Sequence, residues 1–501
     1  MALRGVNFPK PGSYGLNTQE DIVEDDAKRF ASVATNGVID ASGKLTSRAD
    51  FVLQTSGFSG TVETVYCHKN NAGTETILSA AAGKIYSGTS TLTERHDYSA
   101  TSTTLNNWQF ASLSSKIFGA QAGVAPFVLN ESTFAAESFT GAPWSNSPNV
   151  FVAASGRMWA ADDAAGSNRY TLWWSNILDG KVWNSGDAGS LNLQRVWPGG
   201  QDSITALAIY QDRIIIFGLN NILLYTLPAD RNPANMALTD AITNLGCIAR
   251  DSVMFAGGDL YFLAADGYYR IPRLAQVTSL LSAQKVSHLV ADDFKTSFAS
   301  ETLTKARAGF HPGEKFLVVT FPTANKTWCF HTDRFVPAGE NFNIPAVTYW
   351  TNASVPFRGF CFDKDKNWYC AMTNGIGKYT GYTPDGASSA YDFEFYSLWT
   401  SMQDETRSKD LKNWTMTLET DSGQTGTFKW QLDHVAGTTR SQSFTCDSTE
   451  FAEAPGIGVV KGQLGGSCNV ARFGFSTTIN GDKVAVHSMR IYAKPGVTRV
   501  R

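Results

Sequence analysis

Between residues 173 and 227 short apolar runs alternate with turn residues. The runs are Ile204–Tyr210, Ile214–Phe217 and Ile222–Leu227, separated by Gln211-Asp212 and by Gly218-Leu219-Asn220-Asn221. Runs of this length, punctuated in this way, predict a β-meander. In the first run Ile204, Ala206, Ala208 and Tyr210 fall on one face and Leu207 and Ile209 on the other, so both faces are apolar. Antiparallel strands with one wet face alternate apolar and polar residues instead. A strand apolar on both faces has to be covered on both, as in a blade stacked between neighbours in a β-propeller. The core strand of a sandwich meets the same condition, and this stretch alone does not choose between them.

The same pattern recurs along the chain. Strand pairs closed by Gly, Asp or Asn turns are expected at Thr61–Tyr86, Trp108–Leu129, Val150–Trp174, Ser252–Ile271, Ala306–Phe330 and Phe357–Tyr379, with the opening stretch as a further copy. Copies that start roughly 40–55 residues apart have the spacing of four-stranded blades in propeller arrays. The copies agree in hydrophobic pattern and not in letters, and the Trp-Asp dipeptide of the WD repeat is absent. The recurrence favours the blade.

Three regions depart from the rhythm. Leu274–Lys305 lacks Gly and Pro, and Val286, Leu289, Phe294 and Phe298 share one helical face, which predicts a helix near 286–304 inserted between two blades. Residues 1–50 are polar and poor in strand-like runs. Glu20–Val33 fits a short helix, with Asp25-Asp26 in its first turn, and fits an extended arm equally. From about 391, Trp414, Met416 and Leu418, then Phe428, Trp430 and Leu432, then Phe473 and Phe475 occupy every second position. These hairpins predict a separate small β-sandwich. The expected organisation is therefore all-β: an N-terminal arm over 1–50, a β-propeller over 51–390 with a helical insertion at about 274–305, and a sandwich-like domain over 391–501.

Composition sharpens this picture. With 501 residues, 43% hydrophobic and only 17% charged, the chain is long enough for two or three domains and too apolar for a disordered protein. The net charge of −3 argues against a general nucleic-acid binder, which would carry a basic surplus. Seven widely spaced cysteines without a CxxC pair predict free buried thiols and not a disulfide framework. The N-terminal stretch has no apolar signal-peptide core and no run approaches a membrane span, which predicts folding in a cytoplasm.

Candidate chemistry is sparse. Asp363-Lys364-Asp365-Lys366-Asn367 opens like a calcium loop, but Trp368 stands where the sharp-turn glycine belongs and no glutamate closes it, so a polar hairpin turn is expected. Ser175, Asp179, Gly180 and Trp183 approximate the Asp-box turn of sialidase-type propellers, with Ser175 and Asp179 out of place, and read as a structural turn closed by an aromatic. Acids such as Asp162, Asp163 and Asp259 give no pair that the sequence places across a glycosidic bond. The seven histidines show no zinc spacing, and the Gly-Gly pairs at 199–200, 257–258 and 465–466 lack the Lys-Ser/Thr and helix of a phosphate loop. Trp173, Trp174, Trp183 and Trp197 lie beside turns, where filling gaps between blades is their expected use. No catalytic, cofactor or metal residues are assigned.

The central stretch also resembles a known family. Trp174-Ser175-Asn176 with Trp183, Gly189-Ser190-Leu191-Asn192-Leu193, Trp197-Pro198-Gly199-Gly200, Ile204-Thr205-Ala206-Leu207 and the strand Arg213–Gly218 are similar to the propeller of tail nozzle (tail tubular protein B-like) proteins of short-tailed bacteriophages. Asp259–Leu263 followed by Asp266–Ile271 is a second match, and Gly15–Gln19 followed by Gly43–Arg48 a third. The helix expected near 286–304 sits where that family has one. The matches cover most of residues 15–310, while the C-terminal part agrees only in pattern, and the chain is short beside some such nozzles. The resemblance implies a structural virion protein. Six copies would form a ring below the portal and adaptor, bear fibres or tailspikes, and gate the channel through which genomic DNA leaves without sequence-specific binding. It supplies no catalytic residues. An acidic lumen is expected with it, because each lysine–phosphate contact would add salt-sensitive grip on DNA. Two other classes fit a propeller: a glycosidase or sialidase, which needs clustered acids and arginines at the propeller mouth, and a carbohydrate-binding propeller, which needs aromatic platforms repeated from blade to blade.

Overall fold

In a computed structural model, residues 4–498 are described except 20–27, 56, 146, 164–165, 211–212, 229, 274–281, 339–341, 352–355, 374, 383–389, 403–406, 436–437, 448 and 453–454. The fold is all-β, with six four-stranded blades in a β-propeller arrangement and one α-helix among the described residues. Five blades run in chain order, over 62–97, 109–137, 148–192, 204–243 and 254–285. The sixth is assembled from both ends of the propeller: Phe360–Phe362, Trp368–Met372 and Gly375–Tyr379 are completed by Phe51–Thr55. Every sequence copy but one is thus a complete blade.

The exception is the copy at 306–330. Its strands Arg307–His311, Phe316–Phe321, Lys326–Pro337 and Asn343–Trp350 form a meander between the fifth and sixth blades, and its first strand packs on the first strands of both. The sheet does not end there. Asn343–Trp350 is joined by Ala31–Thr35, then Tyr391–Ser397, Ala471–Ile479, Thr425–Leu432 and Arg440–Thr445, to make nine strands. The outer part of this sheet faces a seven-stranded sheet built on the long strands Arg407–Thr420 and Ala485–Thr498. Trp414 of the second stacks on Phe428 of the first at 4.1 Å, and one continuous core runs through both. A sandwich is therefore present, but it is not the separate domain expected over 391–501, because it shares a sheet with the propeller side.

Nor is the stretch 1–50 a free arm. Arg4–Pro9 pairs with Ala485–Thr498, Gly37–Ile39 and Leu45–Ser47 join the same sheet, and Ala31–Thr35 is an internal strand of the large one. The short helix considered over 20–33 is overturned at its end, where Ala31–Thr35 is a strand, and its residues 20–27 lie outside the described residues. The α-helix spans Ala291–Ala299 and lies between the fifth blade and the meander, with Phe294 and Phe298 buried as its apolar face predicted. The insertion is shorter than expected, since Gln284–Lys285 is the fourth strand of the fifth blade.

The fourth blade shows why its strands are apolar on both faces. Leu207, Ile214, Ile216, Leu223 and Tyr225 pack towards the third blade, on Val150, Trp159, Leu172 and Trp174. Ala206, Ala208, Ile215, Phe217, Ile222 and Leu224 pack towards the fifth, on Leu260, Phe262 and Ile271. Simple alternation puts Ile204 with Ala206, but the register slips between them, and this bulge turns Ile204 to the Leu207 side.

Candidate functional site

Each blade begins with its innermost strand, and the starts of these strands lie together at one end of the propeller axis. That end is closed by a polar network. Arg250, in a 3-10 turn just before the fifth blade, donates through Nη1 to the carbonyl and the side-chain oxygen of Asn149 at 2.5 and 2.7 Å. Its Nη2 donates to the Asn107 carbonyl at 2.8 Å, and the guanidinium forks onto Asp251 at 2.7 and 3.0 Å. Arg307, the first residue of the meander, donates to Thr64 Oγ1 at 2.9 Å and to the Asn107 side chain, and lies 3.6 Å from Asp251. Asn149 donates on to Asp162 at 2.9 Å, and Arg358 pairs with Glu63 at 2.8 Å across the seam between the last and first blades. The network so ties together blades one, two, three, five and six and the meander.

Burial makes these contacts strong and their loss costly. Arg250 and Arg307 are 7% and 9% exposed, and a buried charge persists only when paired and hydrogen-bonded. Burial acts to raise the Asp251 pKa, yet Arg250 and Arg307 outweigh it and hold the carboxyl below its ordinary value. Asp162 has no such cation in contact, and burial lifts its carboxyl to about 6 although Asn149 donates to it. The arginines of the axis are therefore occupied by protein acceptors, among them the main-chain and amide oxygens of Asn107 and Asn149.

The opposite end of the axis is a half-open apolar cup of about 400 Å³. Tyr66, Met254, Phe310, Phe360 and Phe362 line it, with Lys69, Glu75 and Lys364 at its rim. Cys67 and Cys361 also reach it, and burial pushes the Cys67 thiol up to about 12 and that of Cys361 well above its ordinary value, which keeps both unreactive. All seven cysteines are free thiols, and all but Cys67 and Cys361, which are half-buried, are buried as expected.

The residues singled out from the sequence sit elsewhere. Asp363 turns its carboxylate inward to accept the backbone N–H groups of Asp365 and Asn367, both at 2.9 Å, and the Asn367 amide at 2.7 Å, so this segment is a self-capped hairpin turn. Ser175 accepts the Met158 N–H at 3.0 Å, Asp179 that of Lys181 at 3.1 Å, and Trp183 is buried against Trp144 and Phe151. Trp173, Trp174 and Trp197 are buried between blades as well. Asp162 belongs to the axial network. Asp163 accepts from the Ser145 N–H and the Asn168 amide, and Asp259 pairs with Arg270 at 3.0 Å across its own hairpin. Asn107, Asn149, Arg250, Asp251 and Arg307 were not singled out. Their signal was positional: each stands at or just before the first strand of a copy, where the other copies also carry a polar residue.

No family model and no curated protein matches the chain. Among solved structures, two similar ones are described as the extracellular domains of a one component system and of a hybrid two component system, BT4673, from B. thetaiotaomicron. Both are 11% identical to this chain, with TM-scores of 0.42 and 0.43 over 67% and 69% of its length. The chain spans 40% of the length of each.

Proposed function

We propose that the protein is a structural component of a short-tailed phage tail, a nozzle subunit of which six copies form a ring below the portal and adaptor and gate the DNA-ejection channel. The observation that carries this reading is the closed axis. One end of the propeller axis is filled by Arg250, Arg307 and Asp251, whose polar atoms satisfy one another and the strand starts of neighbouring blades. Such a network makes the propeller one stiff body, which suits a ring subunit that bears load better than a site that turns over a ligand. The continuous sheet between propeller and sandwich adds to that stiffness, and the residue matches over 15–310 supply the assembly. DNA then passes along the axis of the six-fold ring and not through the propeller itself.

Electron microscopy of the purified protein, alone and mixed with its adaptor ring, tests this. The expected particle is a six-fold ring with an axial hole. A monomer under both conditions that cleaves host polysaccharide would overturn the reading.

A further inference from the structure

The seven-stranded sheet buries one face and leaves the other open. Strands Arg4–Pro9, Ala485–Thr498, Arg407–Thr420 and Gly456–Gln463 lie side by side in that order. Val6, Ile491 and Trp414 face the core in one row, so the residues between them face outward. Arg490, Thr415 and Lys461 oppose one another in one outward row, and Tyr492, Asn413 and Gln463 in the next. The first strand adds Asn7 beside Arg490 and Gly5 beside Tyr492.

This surface has an unusual balance. Its two rows hold two cations, one aromatic ring, three side-chain amides and no carboxylate. Arg490 and Lys461 are exposed and make no hydrogen bond or ion pair among the described residues. The acids nearby are engaged: Glu419 holds Lys44 at 2.6 Å and His487 at 2.9 Å, Glu450 accepts the Val459 N–H at 2.9 Å, and Asp410 accepts from Ser467. Lys461, Asn413, Thr415, Gln463 and Tyr492 line a depression of about 500 Å³, and Arg490 stands in the same outward row as Thr415 and Lys461. Beside it the Tyr492 ring and Arg490 Cδ lie over Gly5, 3.4 and 3.5 Å from where a Cβ would stand. Tyr492 then presents a flat ring beside the depression.

We propose that this face binds an acidic polysaccharide with one carboxylate on every second sugar. The cations stand on strands with one strand between them, so their backbone positions are about 9.5 Å apart by the spacing of a sheet, a separation their flexible side chains can keep. They therefore match anions separated by a neutral unit. The amides and the Thr415 hydroxyl between them offer donors and acceptors to a hydroxyl-rich chain, and the Tyr492 ring offers a stacking surface with a polar tip. Nucleic acid fits less well. Its phosphates are dense along the strand, and single strands are held in basic grooves with an aromatic for successive bases, whereas this face has two cations and one ring. The proposal goes beyond the nozzle reading and does not depend on six-fold assembly.

Binding of the full-length protein to a hyaluronan oligosaccharide, read by calorimetry at low and moderate salt, tests it. Saturable binding that weakens with salt is expected. The double variant R490A/K461A and the single variant Y492A should each bind at least tenfold more weakly, with an unchanged melting temperature. Equal binding of neutral dextran, tighter binding of oligothymidylate or of polyglutamate, hyaluronan binding that these variants leave intact, or no binding at all would each overturn the proposal.

Discussion

Arg250 concentrates in one side chain what holds the propeller axis together. Replacing it by methionine takes the Arg250 donor from the Asn149 and Asn107 carbonyls and leaves Asp251 with the more distant Arg307 as its cation. Breaking a buried, hydrogen-bonded charge pair costs about 3–5 kcal/mol, so Arg250→Met is expected to lower the melting temperature by many degrees, read by calorimetry. Asp162 should behave in the opposite sense. Its carboxyl stays protonated in the fold up to about pH 6, while the unfolded chain releases the proton near the ordinary aspartate value. Its contribution to stability is present below about pH 4 and is lost as the pH climbs to about 6. Asp162→Asn escapes that loss, keeps an acceptor for Asn149, and suits the left-handed backbone at φ 60°. The variant should match the parent near pH 4 and exceed it by about 1–2 kcal/mol at pH 7.5, in paired unfolding curves. None of these roles was readable from the letters. Arg250 and Asp162 are ordinary surface residues in any local window, and only the closure of the ring, which brings Arg250 onto Asn149 101 residues away, joins them through that side chain.

At the scale of the element, hydrophobic period carried the reading far. Two-sided apolar strands mean two covering neighbours, and the fourth blade has them. What period does not encode is pairing. The copy at 306–330 has the same pattern as its fellows, yet its fourth strand takes Ala31–Thr35 as a further partner and the sheet grows past the ring. The bulge at Ile204–Ala206 was hidden for the same reason, since a register slip leaves composition untouched. The closing blade depends on a backbone approach that only glycine permits. A Cβ on Gly375 would lie 2.0 Å from the Thr55 carbonyl oxygen, at φ 155°. Gly375→Ala is therefore expected to detach the Phe51–Thr55 strand, cost about 2–4 kcal/mol, and admit protease cleavage near residue 56 at enzyme levels the parent resists.

For the molecule as a whole, the expected division at 50 and 390 does not mark independent units. The first fifty residues supply strands to both faces of the sandwich, and the next five complete the last blade. A chain lacking residues 1–50 should be insoluble or lack near-ultraviolet dichroism, and the fragment 391–501 alone should not fold. Cooperative unfolding of either piece would contradict this. The pairing of Arg4 with Ala493 and of Thr46 with Ala485 has a consequence for how the protein is made. The N-terminal segment leaves the ribosome first but finds its partners only when the last strands have emerged. Contacts so distant along the chain are slow to form, and the waiting strands expose unpaired edges. A chain that stops short of Ala485–Thr498 cannot complete the sandwich. The pairing of the earliest strands with Ala485–Thr498 therefore works as a check on synthesis: the sandwich closes only once that strand is made.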